Sequence, residues 1–388
     1  MQIAFVTETY PPETNGVSLT VRRAVENLRQ RGHCVRLVRP RQAVDADGKA
    51  GFAAPNDWLV PGLPVPMYSS LRVGCATPGG LRRHFLAGKT ELVHVATEGP
   101  LGWAAVTAAR ALGLPVTSDF RTNFHSYAPY YRLGWAADKV KNYLRWLHNL
   151  TACTFVPTRQ TQAALRADGF ERLHLVGRGV DSIQFSPRWR DAQLRVQWGA
   201  DHGPVLLYVG RLAAEKNVAL ALRAYRAVRQ LVPHARMVVV GTGPMHAALA
   251  HDFPDVLFVG EQRGEALAQH YASADLFLFT SMTDTFGNVV LEALASGLPV
   301  LAYNMAAAAE HVRERVSGRL VARGNENDFV IAACLLASQR EEIESMRAHA
   351  RFAALRADWN VVLGAFEQKL LDIGHGHPAA VAQDVVAA

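Results

Sequence analysis

Short runs in which nearly every residue is apolar alternate with stretches of helical hydrophobic spacing, and the alternation occurs twice along the chain. In the first half the runs fall at residues 3–6, 35–38, 92–95 and 116–119, with helical patterns at 17–31 and 102–111. In the second half they fall at 205–209, 237–240, 256–259, 276–279 and 299–302. A strand that is apolar on every residue has both faces covered, as in a parallel sheet with helices packed on each side. The chain is therefore expected to be α/β, built of two doubly wound, Rossmann-like units. Within 17–31, Val17, Val21, Ala24, Val25 and Leu28 share one helical face, and Gly32 follows as a stop.

A chain of 388 residues with 49% hydrophobic residues is too long for one core and suits two. The strand-helix rhythm breaks at 186–203, where Pro187, Trp189 and several charges intervene. This places a first domain at 1–185 and a second at 186–356. A further helical pattern at 357–373 follows the second rhythm, and the small-residue stretch 374–388 reads as a disordered tail.

Several classes are set aside by composition. Cys34, Cys75, Cys153 and Cys334 show no short paired spacing, so neither a zinc site nor a disulfide framework is expected, and a reducing compartment suits them. No window reaches the roughly 18 consecutive apolar residues that span a bilayer. The chain opens without a basic start or a cleavage site, so a cytoplasmic protein is expected, with any membrane contact peripheral. The formal charge of +7 and the pI near 9.4 favour an anionic partner, either a nucleotide, a phospholipid surface or nucleic acid, and fit an ordinary basic protein equally well.

Chemistry concentrates in Thr283-Asp284-Thr285-Phe286-Gly287-Asn288-Val289-Val290-Leu291-Glu292, which joins two buried strands through a glycine-containing turn and a short helix. A helix start there exposes backbone N–H groups and a positive dipole end, a seat for a diphosphate. Glu292 lies among apolar residues, where a lone carboxylate is costly. Either it is a structural glutamate with a pairing partner, or it accepts hydrogen bonds from two vicinal ribose hydroxyls. Arg211 and Lys216 lie five residues apart on a loop that starts at Gly210, and such cations can neutralise a leaving diphosphate. Gly16 closes a turn with Tyr10, Pro11 and Pro12 and allows close backbone approach. Gly241-Thr242-Gly243-Pro244 superficially resembles a dinucleotide fingerprint, but the third glycine and the following acid are not well placed, so NAD binding is not expected.

The segment around Asp284 and Glu292 resembles the E-x7-E signature of retaining GT-B glycosyltransferases, the "glycosyl transferases group 1" family, and Asp284 stands where the first Glu is usual. Gly210-Arg211-Leu212-Ala213-Ala214-Glu215-Lys216 is similar to that family's phosphate-binding G-R-L-x-x-E-K stretch, and Pro11 to Val17 to its Pro-Pro-x-x-x-Gly loop. The resemblance is strong over 205–322 and looser over 1–185. It implies two Rossmann-like domains facing each other across a cleft, with 357–373 crossing back to the first. The donor site it implies comprises Gly16, Arg211, Lys216, Gly241, Glu261, Asp284, Thr285, Phe286, Gly287, Asn288 and Glu292. Relatives carry an active-site histidine after a strand end of the first domain; here Arg121 and His125 are the two candidates for that place.

The expected reaction is transfer of a hexose from a nucleotide-diphosphate sugar with retention of configuration. The resemblance implies no protein nucleophile, because a phosphate oxygen of the leaving group can take the acceptor proton, and neither a metal nor a further cofactor, because Arg211, Lys216 and helix N-termini do the work of a divalent cation. The expected catalytic set is His125, Arg121, Arg211, Lys216 and Asp284. The wording leans to an alpha-mannosyl group from GDP-mannose; a UDP-hexose donor for glucosyl or sulfoquinovosyl transfer is the alternative. A nucleotide-sugar epimerase or hydrolase, and a non-catalytic nucleotide-sugar or membrane-binding protein, are the remaining rivals. Tyr10, Asn123 and His125 are placed on the acceptor side. Lys139, Lys141, Arg145 and Trp146 form a basic, aromatic helical stretch that suits either an anionic membrane face or inward packing. The first reading implies a lipid or lipid-linked saccharide acceptor and peripheral contact with the inner face of the membrane; no nucleic-acid motif accompanies the stretch.

Overall fold

The computed structural model describes residues 1–13, 16–42, 45, 56–65, 68–121, 137–200, 202–284 and 286–376. The chain divides into two compact units, unit 1 being Met1–Gly177 with Leu363–Ala388 and unit 2 being Arg178–Val362.

Unit 1 runs through β1 (Gln2–Val6), α1 (Gly16–Gln30), β2 (Cys34–Pro40), β3 (Trp58–Val60), β4 (Gly62–Val65), β5 (Tyr68–Gly74), α2 (Pro78–Ala87) and β6 (Leu92–Val95). It continues with α3 (Pro100–Ala111), β7 (Val116–Asp119), α4 (Ala137–His148), β8 (Cys153–Val156), α5 (Arg159–Ala167) and β9 (Leu173–Leu175). Its main sheet has the order β3-β2-β1-β6-β7-β8-β9, with every pairing parallel, while β4 and β5 form a separate antiparallel pair. Ile3 to Val6 are buried on both sides of the sheet, and α1 covers one face with Val21, Ala24, Val25 and Leu28.

Unit 2 opens with α6 (Ala192–Gln197), followed by β10 (Val205–Val209), α7 (Val218–Leu231), β11 (Arg236–Val240), α8 (His246–Asp252), β12 (Leu257–Gly260) and α9 (Gly264–Ser273). Then come β13 (Leu276–Phe279), α10 (Asn288–Ala295), β14 (Val300–Tyr303), α11 (Ala306–His311), β15 (Gly318–Val321), α12 (Glu326–Ser338) and α13 (Arg340–Leu355). Its parallel sheet has the order β12-β11-β10-β13-β14-β15. In both sheets the chain winds outward in one direction and then returns to wind in the other. The switch lies between β1 and β6 in unit 1 and between β10 and β13 in unit 2. Open parallel sheets bind ligands beyond the carboxyl ends of the strands at such points.

The boundary expected at 185/186 moves back to Gly177/Arg178. The polar stretch that follows is not a free connection: Val180, Phe185 and Trp198 are buried in the core of unit 2. Asp275 anchors the same stretch, receiving Arg190 at 2.9 Å, Arg195 at 2.8 Å and Arg347 at 2.5 Å. The final helix α14 (Trp359–His375) has the 17-residue length of the expected 357–373 but begins and ends two residues later, so Gly374 and His375, read as part of a tail, are helical. From Leu363 onward it belongs to unit 1. There Glu367 binds Arg31 at 2.7 Å and His33 at 2.8 Å, and Phe366 lies 4.9 Å from the Phe155 ring. Among the described residues, no helix is long and apolar enough to cross a membrane.

Candidate active site

In unit 2 the loop after β10 and the loop after β13 flank the switch point, and side chains stitch them together. Lys216 Nζ donates to Asp284 Oδ1 at 2.6 Å, with the two side chains 24% and 21% exposed. Beneath this pair the buried Thr280 hydroxyl donates to the Lys216 carbonyl at 3.0 Å, and Thr283 donates to the Glu215 carbonyl at 3.4 Å. The ammonium and the carboxylate are thus held at one place by two different strands. Arg211 is not drawn into this pair: its side chain is 64% exposed and bonds Glu215 within its own loop.

The rear of the loop is set by glycine. Gly241 follows β11 at φ +132°, and a Cβ there would lie 2.0 Å from the Gly210 carbonyl oxygen. Its N–H donates to Gly260 O at 2.8 Å, so the ends of β10, β11 and β12 meet backbone to backbone. Glu261, next along, is exposed and receives Arg263 Nε at 2.9 Å and Nη2 at 2.7 Å on one oxygen, Oε1.

Glu292 projects from α10, a helix that starts at Gly287 (φ +86°) without a side-chain cap. Its Oε2 accepts the Tyr271 hydroxyl of α9 at 2.9 Å. Burial pushes the Glu292 carboxyl up from 4.5 to about 7 against the opposing hydrogen bond from Tyr271. Burial, and after it Glu292, hold the Tyr271 phenol well above its ordinary value, so it stays a donor. Phe286 is buried, with the Arg178 guanidinium 5.8 Å from its ring centre. At the head of α10 and in the loop after β13, Asn288 Oδ1 and Ser281 Oγ are buried with no hydrogen-bond partner among the described residues. Native proteins leave few such atoms, so the place is suited to a polar ligand.

Unit 1 gathers a second group of polar side chains at the carboxyl ends of its strands. Glu8, after β1, accepts the Leu101 N–H at 3.0 Å; burial pushes its carboxyl up to about 7 against that bond, and Glu98 adds to the rise. Glu98 Oε1 and His148 Nε2 face each other at 3.6 Å. Asp119, the last residue of β7, is buried between His94 and Arg121, with His94 Nε2 at 3.1 Å and Arg121 Nε at 2.5 Å from Oδ2. Tyr10 is buried, with the Arg39 guanidinium 5.6 Å from its ring centre, and Gly16 is the first residue of α1.

Asn123, His125 and Thr285 lie outside the described residues. The basic aromatic stretch lies on α4, which buries Leu144 and Leu147 and leaves Trp146 48% exposed. Lys139 is exposed, Lys141 meets Asp168 at 3.2 Å, and Arg145 donates to the Asp168 carbonyl at 3.2 Å. Sequence reading missed Tyr271, Ser281, His94, Asp119, Glu8 and Glu98. Asp119 had left a signal, a carboxylate closing an otherwise buried strand; Tyr271 left none, because an aromatic residue on an amphipathic helix reads as core.

Two doubly wound α/β units of this kind are the architecture of the GT-B enzymes. Residues 203–339 match the family profile described as "Glycosyl transferases group 1", and residues 14–184 match the one described as "Glycosyltransferase Family 4". A "GDP-mannose-dependent alpha-mannosyltransferase" of Mycobacterium tuberculosis is 33% identical over 380 residues, covering 95% of this chain and 96% of its own. A sulfoquinovosyl transferase of Arabidopsis thaliana is 30% identical over 307 residues, covering 76% of this chain and 59% of its own. Among solved structures, a sucrose-phosphate synthase from Thermosynechococcus elongatus superposes with a TM-score of 0.75 at 18% identity, over 96% of this chain and 98% of that one. The chain belongs to the group 1 glycosyltransferases and is a glycosyltransferase.

Proposed function

We propose that the protein transfers an alpha-mannosyl group from GDP-mannose, with retention of configuration and without a metal ion, to a hydroxyl of a lipid or lipid-linked saccharide. The observation that carries this reading is the Lys216–Asp284 pair at the switch point of unit 2, with Glu292 on the helix that follows. Lys216, Arg211 and the first N–H groups of α10 neutralise the diphosphate as it leaves, which is the task a divalent cation performs in other transferases. Glu292 accepts the ribose hydroxyls, and Asp284 lies beside the transferred sugar. The acceptor oxygen forms the new bond to the anomeric carbon while the bond from that carbon to the phosphate oxygen breaks. The acceptor's proton passes to an oxygen of the departing diphosphate on the same face, so GDP leaves carrying it.

GDP-mannose is supported by the mycobacterial relative, a GDP-mannose-dependent alpha-mannosyltransferase that matches nearly the whole chain. It is also supported by Glu261, whose carboxylate offers acceptors to the two N–H donors on one edge of guanine, where uracil presents one. A sulfoquinovosyl donor is the second reading, favoured by the plant relative. The exposed Trp146 face of α4, flanked by Lys139, fits an acceptor met at the cytoplasmic face of a membrane.

The test is a thermal-shift titration with GDP, UDP and ADP in the presence of a chelator, on wild type and Glu292→Ala, followed by NMR of the product formed from GDP-mannose. Stabilisation by GDP alone, absent from the variant, and an α-anomeric product support the reading. A shift with UDP instead, or an inverted product, overturns it.

A further inference from the structure

His94 lies at the centre of β6, fully buried, with the rings of Phe5 at 4.5 Å and Phe366 at 5.1 Å. Both of its ring nitrogens are engaged: Nδ1 is 2.9 Å from the Thr117 hydroxyl and Nε2 is 3.1 Å from Asp119 Oδ2. A carboxylate can only accept, so Nε2 carries the proton and Nδ1 accepts from Thr117. Asp119 in turn receives Arg121 through both Nε and Nη2, each at 2.5 Å from the same oxygen. Burial would raise the Asp119 carboxyl, but Arg121 and His94 outweigh it and hold it below the usual carboxylate range. Among the described residues, the chain of contacts reaches the surface at Arg121, whose side chain is 15% exposed against 3% for Asp119. The third guanidinium nitrogen, Nη1, has no partner among the described residues.

Three polar groups buried in a strand core are an expensive way to stabilise a sheet, since apolar residues of the same volume would do at least as well. Their arrangement has a direction, from the middle of β6 to a guanidinium at the carboxyl end of β7, the edge at which open parallel sheets meet their ligands. An arginine fork pinned along one side leaves its remaining edge oriented for an oxyanion.

We propose that His94 and Asp119 are positioning residues that fix the Arg121 guanidinium so that its Nη1 edge, which has no partner among the described residues, receives an oxyanion of the substrates. The proposal rests on the glycosyl-transfer reading given above, which supplies two sources of that oxyanion: the donor diphosphate or an anionic group on the acceptor.

A double-mutant cycle separates positioning from simple stabilisation. Asp119→Asn is made in wild type and in an Arg121→Gln background. Steady-state kinetics are measured for GDP-mannose and for an acceptor extracted from membranes. Calorimetric titration with GDP supplies affinity, and its stoichiometry counts the folded molecules. The expected result is a tenfold or greater loss of kcat/KM from Asp119→Asn in wild type and a less than twofold further loss when Arg121 is already gone. His94→Gln, whose amide still donates to Asp119, retains activity, whereas His94→Leu loses it. A fall in GDP affinity assigns the oxyanion to the donor; a raised acceptor KM at unchanged GDP affinity assigns it to the acceptor. Equal losses in both backgrounds, or no loss in wild type, overturn the positioning role and leave the glycosyl-transfer reading standing. A wild type that binds GDP in no Glu292-dependent way brings down both.

Discussion

Glu292 carries two opposite pH dependences. Its carboxyl is held near 7 in the folded protein against an ordinary 4.5, so between those values the folded state binds more protons than the unfolded one. Stability contributed by this group is fully present below about pH 4.5 and is lost as pH rises through 7, amounting to about 3 kcal/mol. On the proposed donor role of Glu292, nucleotide binding runs the other way, because the ionised carboxylate is the better acceptor for ribose hydroxyls. The melting temperature of the ligand-free protein is therefore expected to fall between pH 5 and 8, while GDP affinity, measured by calorimetry over the same range, rises. In Glu292→Gln both slopes flatten, and the stability slope that survives combines the fall set by Glu8, whose carboxyl is likewise held at about 7, with an opposing rise from His84, His174 and His270, whose imidazoles burial holds below their ordinary range. At this scale the sequence marked Lys216, Asp284 and Glu292 as candidates by their spacing from glycine turns, and the structure brings the first two together with Glu292 on the helix that follows. The sequence could not show that Tyr271 holds Glu292, since that partner comes from another helix, or that Arg211 turns to Glu215 rather than joining Lys216.

Elements were legible where a run was apolar on every residue. All five runs of the second half became strands, and Gly210 and Gly241 fell where strands β10 and β11 end. The antiparallel pair β4 and β5 went unseen because Gly62, Pro64 and Gly74 break any run that could have marked it. The glycine meeting in unit 2 gives a sharp expectation. Gly241→Ala forces a Cβ to within 2.0 Å of a backbone oxygen and strains a φ of +132°. It should cost about 3 kcal/mol or more in chemical denaturation. Gly264→Ala, at φ +55° with open space around it, should cost only about 1 kcal/mol. Helix α4 yields another. With Leu144 and Leu147 facing the core, Trp146→Ala together with Lys139→Glu leaves the fold intact. In sedimentation with anionic vesicles the double variant should bind at least fivefold less than wild type; equal binding would remove α4 from the membrane account.

At the scale of the whole molecule, composition and rhythm pointed to two units, but the seam was misplaced because polarity was taken as a sign of a free connection. The charges at Arg190 and Arg195 are instead consumed by Asp275, and Phe185 and Trp198 enter the core. The return of α14 to unit 1 makes a truncation informative. A chain ending at Val362 keeps all of unit 2 and loses Phe366, Leu370 and Glu367 from unit 1. Differential scanning calorimetry should show the transition of unit 1 lowered by ten degrees or more, while GDP binding by unit 2 persists.

The same helix fixes an order of events during synthesis. Unit 2 is continuous in sequence and can close as soon as Val362 leaves the ribosome, whereas the rings of His94 and Phe155, made hundreds of residues earlier, wait for Phe366 to cover them. At roughly 5–20 residues per second that wait lasts on the order of ten seconds or more. The amino-terminal half of this enzyme is thus made first and finished last, and during the interval its uncovered apolar sheet is the surface most exposed to a chaperone.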